Sequence, residues 1–89
     1  MRISNIRITL INGTGGLISF ASVLIDDCIR LDSIAIHQLA NRAGYRIVYP
    51  RDKSGRPYFF PISQELREQL EDAIFDELGV VSHDRHHQD

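Results

Sequence analysis

The chain has 89 residues and a formal net charge of −2, with 43% hydrophobic and 25% charged residues. This composition is typical of one soluble globular domain and excludes the disordered and fibrous classes of protein. Its apolar runs are shorter than the roughly 18 residues of a membrane-spanning helix, and its N-terminus does not have the apolar core of a secretory signal, so we expect a cytoplasmic protein without a membrane partner.

The first half of the chain has the sequence pattern of antiparallel β-strands. Apolar and polar residues alternate from Ile6 to Leu10, and residues 12–16 contain the glycines of a hairpin turn. A second strand, Leu17 to Ile25, is apolar in both phases, as expected of a central strand that is covered on two faces. Asp26-Asp27 then predicts a second tight turn.

Two further strands are predicted before residue 50. The third strand extends from Cys28 to Ile36, and its apolar pairs lie in opposite phases on either side of Asp32-Ser33. A β-bulge at that point would turn both pairs inward. Residues 37–43 predict a loop or a single helical turn, and the fourth strand, Tyr45 to Tyr49, ends at a proline.

The last part of the chain predicts one helix. Tyr58 to Phe60 lies between two prolines, which places it at a sheet edge or outside the sheet. Ser63 is the expected helix cap, and Gly79 suits the helix end. The expected buried stripe of the helix contains Leu66, Leu70, Ala73, Ile74 and Leu78. These elements predict an α+β fold, in which an antiparallel meander of four to five strands precedes one C-terminal helix, with a single domain over residues 1–79 and a flexible polar tail over residues 80–89.

Charge is distributed unevenly along the chain. The residues from Ala40 to Phe60 have five cations and one acid, whereas the residues from Pro61 onward have eight acids and two arginines. Guanidinium and ammonium groups at one end of a sheet would bind phosphates, and Tyr49, Tyr58 or Phe59 would stack on unpaired bases. The alternative is that charged turn residues simply keep the loop solvated. The five cations are Arg42, Arg46, Arg51, Lys53 and Arg56.

The order of several short segments resembles the SpoVG family of bacterial septation and sporulation regulators. These segments are Ile6-Arg7-Ile8, Ala21-Ser22-Val23, Asp26-Asp27, Ser33-Ile34-Ala35-Ile36, Gly44, Pro50 with Gly55, and Pro61-Ile62. The resemblance covers Met1 to Leu78. It implies a dimeric protein that binds DNA or RNA through basic residues around the loop after Pro50 and in the helix region, and that tunes gene expression, septation or sporulation. The nucleic-acid-binding residues that we expect are Arg42, Arg46, Arg51, Lys53, Arg56 and Tyr58.

No residue pattern in the sequence predicts catalysis, a cofactor, a metal site or a small-molecule substrate. Cys28 has no second cysteine and no histidine nearby in sequence, and the glycines of residues 12–16 lie between strands rather than before a helix. His83, His86 and His87 fall in the predicted tail. We therefore expect a non-enzymatic homodimer that pairs through strand edges. The alternative function is a protein–protein interaction module that uses its sheet edge or its acidic helix.

Overall fold

A single antiparallel sheet forms the centre of the fold. The computed structural model describes residues 1–13 and 15–87, with side chains as far as Val81. The elements are β1 (Ile3–Leu10), β2 (Leu17–Ile25), β3 (Ile29–Gln38), β4 (Tyr45–Val48) and α1 (Gln64–His87). The strand order is β1-β2-β3-β4, which confirms the predicted α+β meander. Because each strand pairs with its neighbour in sequence, β1 and β4 are the two edge strands.

The predicted turn between β2 and β3 is confirmed. Asp26 and Asp27 have φ values of 51° and 56°, and the Cys28 N–H donates to the Ile25 carbonyl at 2.9 Å. Two consecutive residues with positive φ define the mirror-image turn that best matches the twist of a hairpin, and aspartate is one of the few residue types other than glycine that tolerates this conformation.

The predicted β-bulge in β3 is confirmed as well. Ser33 has a φ of 62°, and the register of the β2–β3 pair shifts between Ala21 and Val23. The extra residue lets Leu31 on one side of the bulge and Ile34 and Ile36 on the other all pack in the core. Ile29, which was also predicted to point inward, is 58% exposed, so that part of the prediction is wrong. A second bulge, which was not predicted, lies in β1, where Asn5 has a φ of 46°.

The helix begins at the predicted cap and buries three of the five residues of the predicted stripe, while Leu66 and Ala73 are partly buried. The Leu66 N–H donates to Ser63 Oγ at 3.0 Å, which satisfies one free donor of the first turn. Leu70, Ile74 and Leu78 are fully buried. They pack against inward-facing side chains of β2 and β3 and complete the core. We call the sheet face that α1 covers the inner face, and the opposite one the outer face.

The predicted end of the helix at Gly79 is wrong. The helix continues through Gly79 to His87, and Gly79 does not have the positive φ of a helix-terminating glycine. A glycine inside a helix costs only about 1 kcal/mol, so it does not by itself end a helix. Residues 80–87 of the predicted tail are therefore helical, and residues 88–89 lie outside the described part of the chain.

Candidate nucleic-acid interface

The predicted cationic loop is an ordered hairpin, which we call the cationic hairpin (residues 51–57). Arg51 and Pro57 form a β-bridge at its base, and the Asp52 N–H donates to the Arg56 carbonyl at 2.8 Å. The Gly55 N–H donates to the Asp52 carbonyl at 3.0 Å, and Gly55 has a φ of 91°. A tight turn followed by a glycine of positive φ is a common three-residue hairpin connection, and it presents Lys53 at the tip.

The carboxylate of Asp52 holds the cationic hairpin together. Its Oδ1 accepts hydrogen bonds from Ser54 N at 2.9 Å, Ser54 Oγ at 2.7 Å and Arg56 N at 3.0 Å. The Ser54 hydroxyl and the Arg56 amide favour the ionised form, so the pKa of Asp52 lies below its ordinary value of 3.8. The only acid of this segment therefore bonds to the loop backbone and to a serine, which leaves the guanidinium groups of Arg51 and Arg56 available.

Acid is expected to loosen the cationic hairpin. Because the pKa of Asp52 is lower in the folded chain than in the unfolded chain, its contribution to stability is complete above the ordinary 3.8 and is lost as the pH falls through the lower, folded value. We expect the amide NMR signals of Ser54 and Arg56 to titrate together with a midpoint below 3.8. A midpoint at or above that value would contradict the bonding role of the carboxylate, and Asp52→Ala should abolish the titration at both amides.

An open groove runs along β4 beside the base of the cationic hairpin. It has a volume of about 360 Å³, and its lining includes Arg46, Val48, Arg51, Pro57 and Phe60. We call it the β4-edge groove. Two guanidinium groups, the exposed ring of Phe60 and the half-buried ring of Tyr49 thus line the same concave surface. This combination can hold a phosphate and stack on a base.

The direction of Arg46 follows from the register of β4. Tyr45 lies on the inner face, where its ring contacts Phe75 of α1 with centroids 6.1 Å apart. Successive side chains of a strand point to opposite faces, so Arg46 points to the outer face, opposite His37 of β3. Packing of Tyr45 on the helix therefore fixes the orientation of Arg46.

The structure brings together most, but not all, of the six predicted binding residues. Arg46 and Arg51 line the β4-edge groove, and Lys53 and Arg56 belong to the adjoining hairpin. All four are exposed. Arg42 is also exposed, but it lies in the β3–β4 loop, at the opposite end of β4 from the hairpin.

The aromatic residues divide into buried and exposed sets. Tyr49 and Phe59 are half-buried and contact each other edge to face, with ring centroids 5.9 Å apart. Burial, reinforced by the negative charge of Glu71, raises the pKa of Tyr49. Tyr58 is 71% exposed and Phe60 is 58% exposed. Among the aromatic residues from Tyr49 to Phe60, the exposed rings are thus Tyr58, which was predicted, and Phe60, which was not.

Phe60 could have been found from the sequence. It lies two residues after Tyr58, so in an extended segment the two rings share one side while Phe59 takes the other. The buried partner of Phe59 is Tyr49. Once one of the three aromatic residues is assigned to the core, alternation assigns the other two to solvent.

The cations of the groove and the hairpin have no acidic partner among the described side chains. Within this part of the chain, the ion pair present joins Arg2 to Asp27 at 3.1 Å, at the far edge of the sheet. The acidic residues of α1 are mostly exposed. These acids are Glu65, Glu68, Glu71, Asp72, Asp76 and Glu77.

Two further observations concern the described residues as a whole. No group of three or more histidine, cysteine, aspartate or glutamate side chains in the described part of the chain is arranged to hold a metal ion. Over the same residues, no helix combines the length and the apolarity needed to cross a membrane.

Together the fold and the groove define a small α+β protein with a cationic, aromatic surface on one sheet edge. The SpoVG family model matches residues 1–79, so the chain belongs to the SpoVG family. This family comprises regulators related to sporulation and septation and is not a catalytic family. No significant match was found among curated proteins or among solved structures.

Proposed function

We propose that this SpoVG-family protein binds DNA or RNA through the β4-edge groove and the cationic hairpin and regulates gene expression by that binding. The observation that carries the proposal is the position of Arg46 and Arg51 beside the exposed ring of Phe60 in one groove. The protein would regulate septation or sporulation by binding to nucleic acid rather than by catalysing a reaction.

The physical basis is the release of counterions when cations replace them at phosphates. Each subunit offers four exposed cations in the groove and the hairpin, namely Arg46, Arg51, Lys53 and Arg56. If half of the eight cations in a dimer reach phosphates, the logarithm of the binding constant would fall with the logarithm of salt concentration with a slope of about −4. Binding would then be micromolar and steeply dependent on salt.

A homodimer is part of the proposal. Among the residues that the structure describes, both β1 and β4 have one edge without a partner strand, and an open edge favours pairing with a second copy. The chain is also small, so added buried surface would stabilise it. We expect light scattering at micromolar concentration to give twice the 10.2 kDa mass of the chain. A value equal to the chain mass would exclude the dimer.

The open edge of β4 also favours a second candidate function, a protein–protein interaction module. An extended peptide could add to β4 as a further strand, or a basic partner could bind the acidic face of α1. In that case the cationic hairpin would serve only solubility or subunit pairing. Nucleic-acid binding that depends on the hairpin cations distinguishes the two functions.

Alanine substitution of the hairpin cations tests the proposed function. We expect the triple variant Arg51→Ala, Lys53→Ala, Arg56→Ala to shift single-stranded and duplex probes at about tenfold or higher protein concentration than the wild type at low salt, because it removes three of four cations per subunit. Its salt dependence should also become shallower, with a slope of about −1. Equal retardation of probes by wild type and variant would remove the hairpin from the mechanism and favour the interaction module.

A further inference from the structure

The outer face of the sheet is a second surface with the chemistry of nucleic-acid recognition. The helix covers only the inner face, where the core lies. On the outer face, Phe20 of the central strand β2 lies between Thr9 of β1 and Ala35 of β3. Phe20 is 37% exposed, whereas aromatic side chains of a central strand usually lie in the core. Its small neighbours leave the ring accessible at the middle of the sheet.

The ring of Phe20 lines a pocket of about 200 Å³. Its lining includes Arg7 and Thr9 of β1, Phe20 of β2, and Arg30 and Asp32 of β3. Three adjacent strands therefore contribute two guanidinium groups and one aromatic ring to the same depression. Asp32 Oδ1 accepts a hydrogen bond from the Ser33 N–H at 2.7 Å, and it forms no ion pair with either arginine within the described chain.

Arg30 is held in place across the sheet. Its Nη1 donates to the Asn5 carbonyl at 3.2 Å and to Ser22 Oγ at 3.0 Å, and its Nη2 donates to Asn5 Oδ1. Asn5 lies in the β1 bulge and has a positive φ, which is an unfavourable conformation for most residues other than glycine. The residue that orients the Arg30 guanidinium therefore has a strained backbone. A guanidinium has five N–H groups, which leaves two that bond to no acceptor among the described residues.

A fixed guanidinium of this kind suits the binding of an anion. The Arg30 side chain is already ordered, so binding of a ligand would not cost the conformational entropy of ordering it. Arg7 adds a second cation to the pocket, and Arg46 points to the same face at the other edge of the sheet. The acidic helix lies behind the opposite face, so the sheet separates the acids from these three arginines.

We propose that the outer face binds single-stranded nucleic acid, with a base stacked on Phe20 and phosphates held by Arg7 and Arg30. Arg46 belongs both to this face and to the β4-edge groove, so it would join the two surfaces into one path. A single strand is required because the bases of a duplex stack on each other and cannot place a face on Phe20. This inference rests on the proposed function and deepens it by naming the strandedness of the ligand.

Substitution of Phe20 tests the stacking contact. Fluorescence anisotropy would measure binding of a labelled oligonucleotide of about 16 nucleotides and of the duplex with the same sequence. We expect Phe20→Leu to weaken single-strand binding about tenfold and to leave duplex binding unchanged, because stacking on one aromatic ring contributes on that scale. Phe20→Tyr keeps the ring and should bind as the wild type does. Thermal unfolding of each variant would show whether it is folded.

Substitution of Arg7 tests the phosphate contact. We expect Arg7→Gln to make the salt slope for the single strand shallower by about 0.7 per subunit, the value for one lost contact. The matched control is Arg67→Gln, which changes the net charge equally but lies on the exposed part of α1. Equal slopes for the two variants would overturn the inference.

The outcomes separate this inference from the proposed function. If the triple hairpin variant loses binding while Phe20→Leu and Arg7→Gln bind single strands as the wild type does, the outer face is not a binding surface and the proposed function stands. Equal weakening of single-strand and duplex binding by Phe20→Leu would also overturn the inference. If the wild type binds neither probe at low salt, both proposals fail.

Discussion

We expect Ile74→Ala to lower the free energy of unfolding by about 2–5 kcal/mol, the range for removing a fully buried aliphatic side chain. Ile74 is fully buried between α1 and the inner face of the sheet. Alanine has a higher helix propensity than isoleucine, so the loss would report packing rather than helix formation. A domain of this size has a total stability of only about 5–10 kcal/mol, so this one substitution would remove a large part of it.

The same substitution at Ile62 provides the matched control. Ile62 is 89% exposed and immediately precedes the Ser63 cap, so Ile62→Ala should change the free energy of unfolding by less than about 0.5 kcal/mol. Urea denaturation would measure both variants, and the melting temperature of Ile74→Ala should be about 10–30 °C lower than that of the wild type. Equal stability of the two variants would contradict the assignment of the core to the helix–sheet interface.

The core and the sheet could be predicted because they follow from sequence periodicity. The apolar stripe through Leu70, Ile74 and Leu78 recurs at the spacing of a helix, and all three side chains are buried as expected. The bulge at Asp32-Ser33 was predictable because apolar phase changes there, and a sheet with one buried face cannot accommodate that change without an extra residue.

Other features depend on tertiary structure or on weak local signals. Glycine is common just after the end of a helix, so Gly79 was a reasonable candidate for that position. The free-energy cost of a glycine inside a helix is too small to end the helix at that residue. The spacing of three residues between Ile3 and Ile6 was a signal for the Asn5 bulge, since both isoleucines pack on the inner face. The bonds from Arg30 to Asn5 join residues far apart in sequence, and no local pattern specifies them.

In the candidate site, too, some features could be predicted from the sequence and others depend on tertiary structure. The cations of the 51–57 segment lie together in one hairpin, whereas the charge pattern of the sequence grouped Arg42 with them because it counted charge along the chain and not in space. Arg42 precedes β4 and the hairpin follows it, so the strand separates them by its own length. Four residues at about 3.3 Å each give a distance of about 13 Å along the sheet. Proximity in sequence therefore did not imply proximity across a strand.

The largest functional effect is expected from reversing the charge of the β4-edge groove. We expect the double variant Arg46→Glu, Arg51→Glu to weaken nucleic-acid binding at least about a hundredfold at low salt, because it removes two cations and places two carboxylates against phosphates. The effect should exceed that of alanine at the same positions, and it should diminish as salt screens the repulsion. Anisotropy titrations at several salt concentrations would measure both trends.

The control for this variant must carry the same net charge, because a more acidic protein repels a polyanion wherever its acids lie. The double variant Arg2→Glu, Arg67→Glu meets this condition. It breaks the exposed Arg2–Asp27 ion pair, which contributes at most about 1 kcal/mol, and it adds like-charge repulsion between positions 67 and 71 of about 0.2–0.5 kcal/mol. These costs are small, so the variant should remain folded, and thermal unfolding would check this. If the groove is the site, the control should lose far less affinity than the groove variant. Equal losses would mean that net charge, and not the arrangement of Arg46 and Arg51, determines binding.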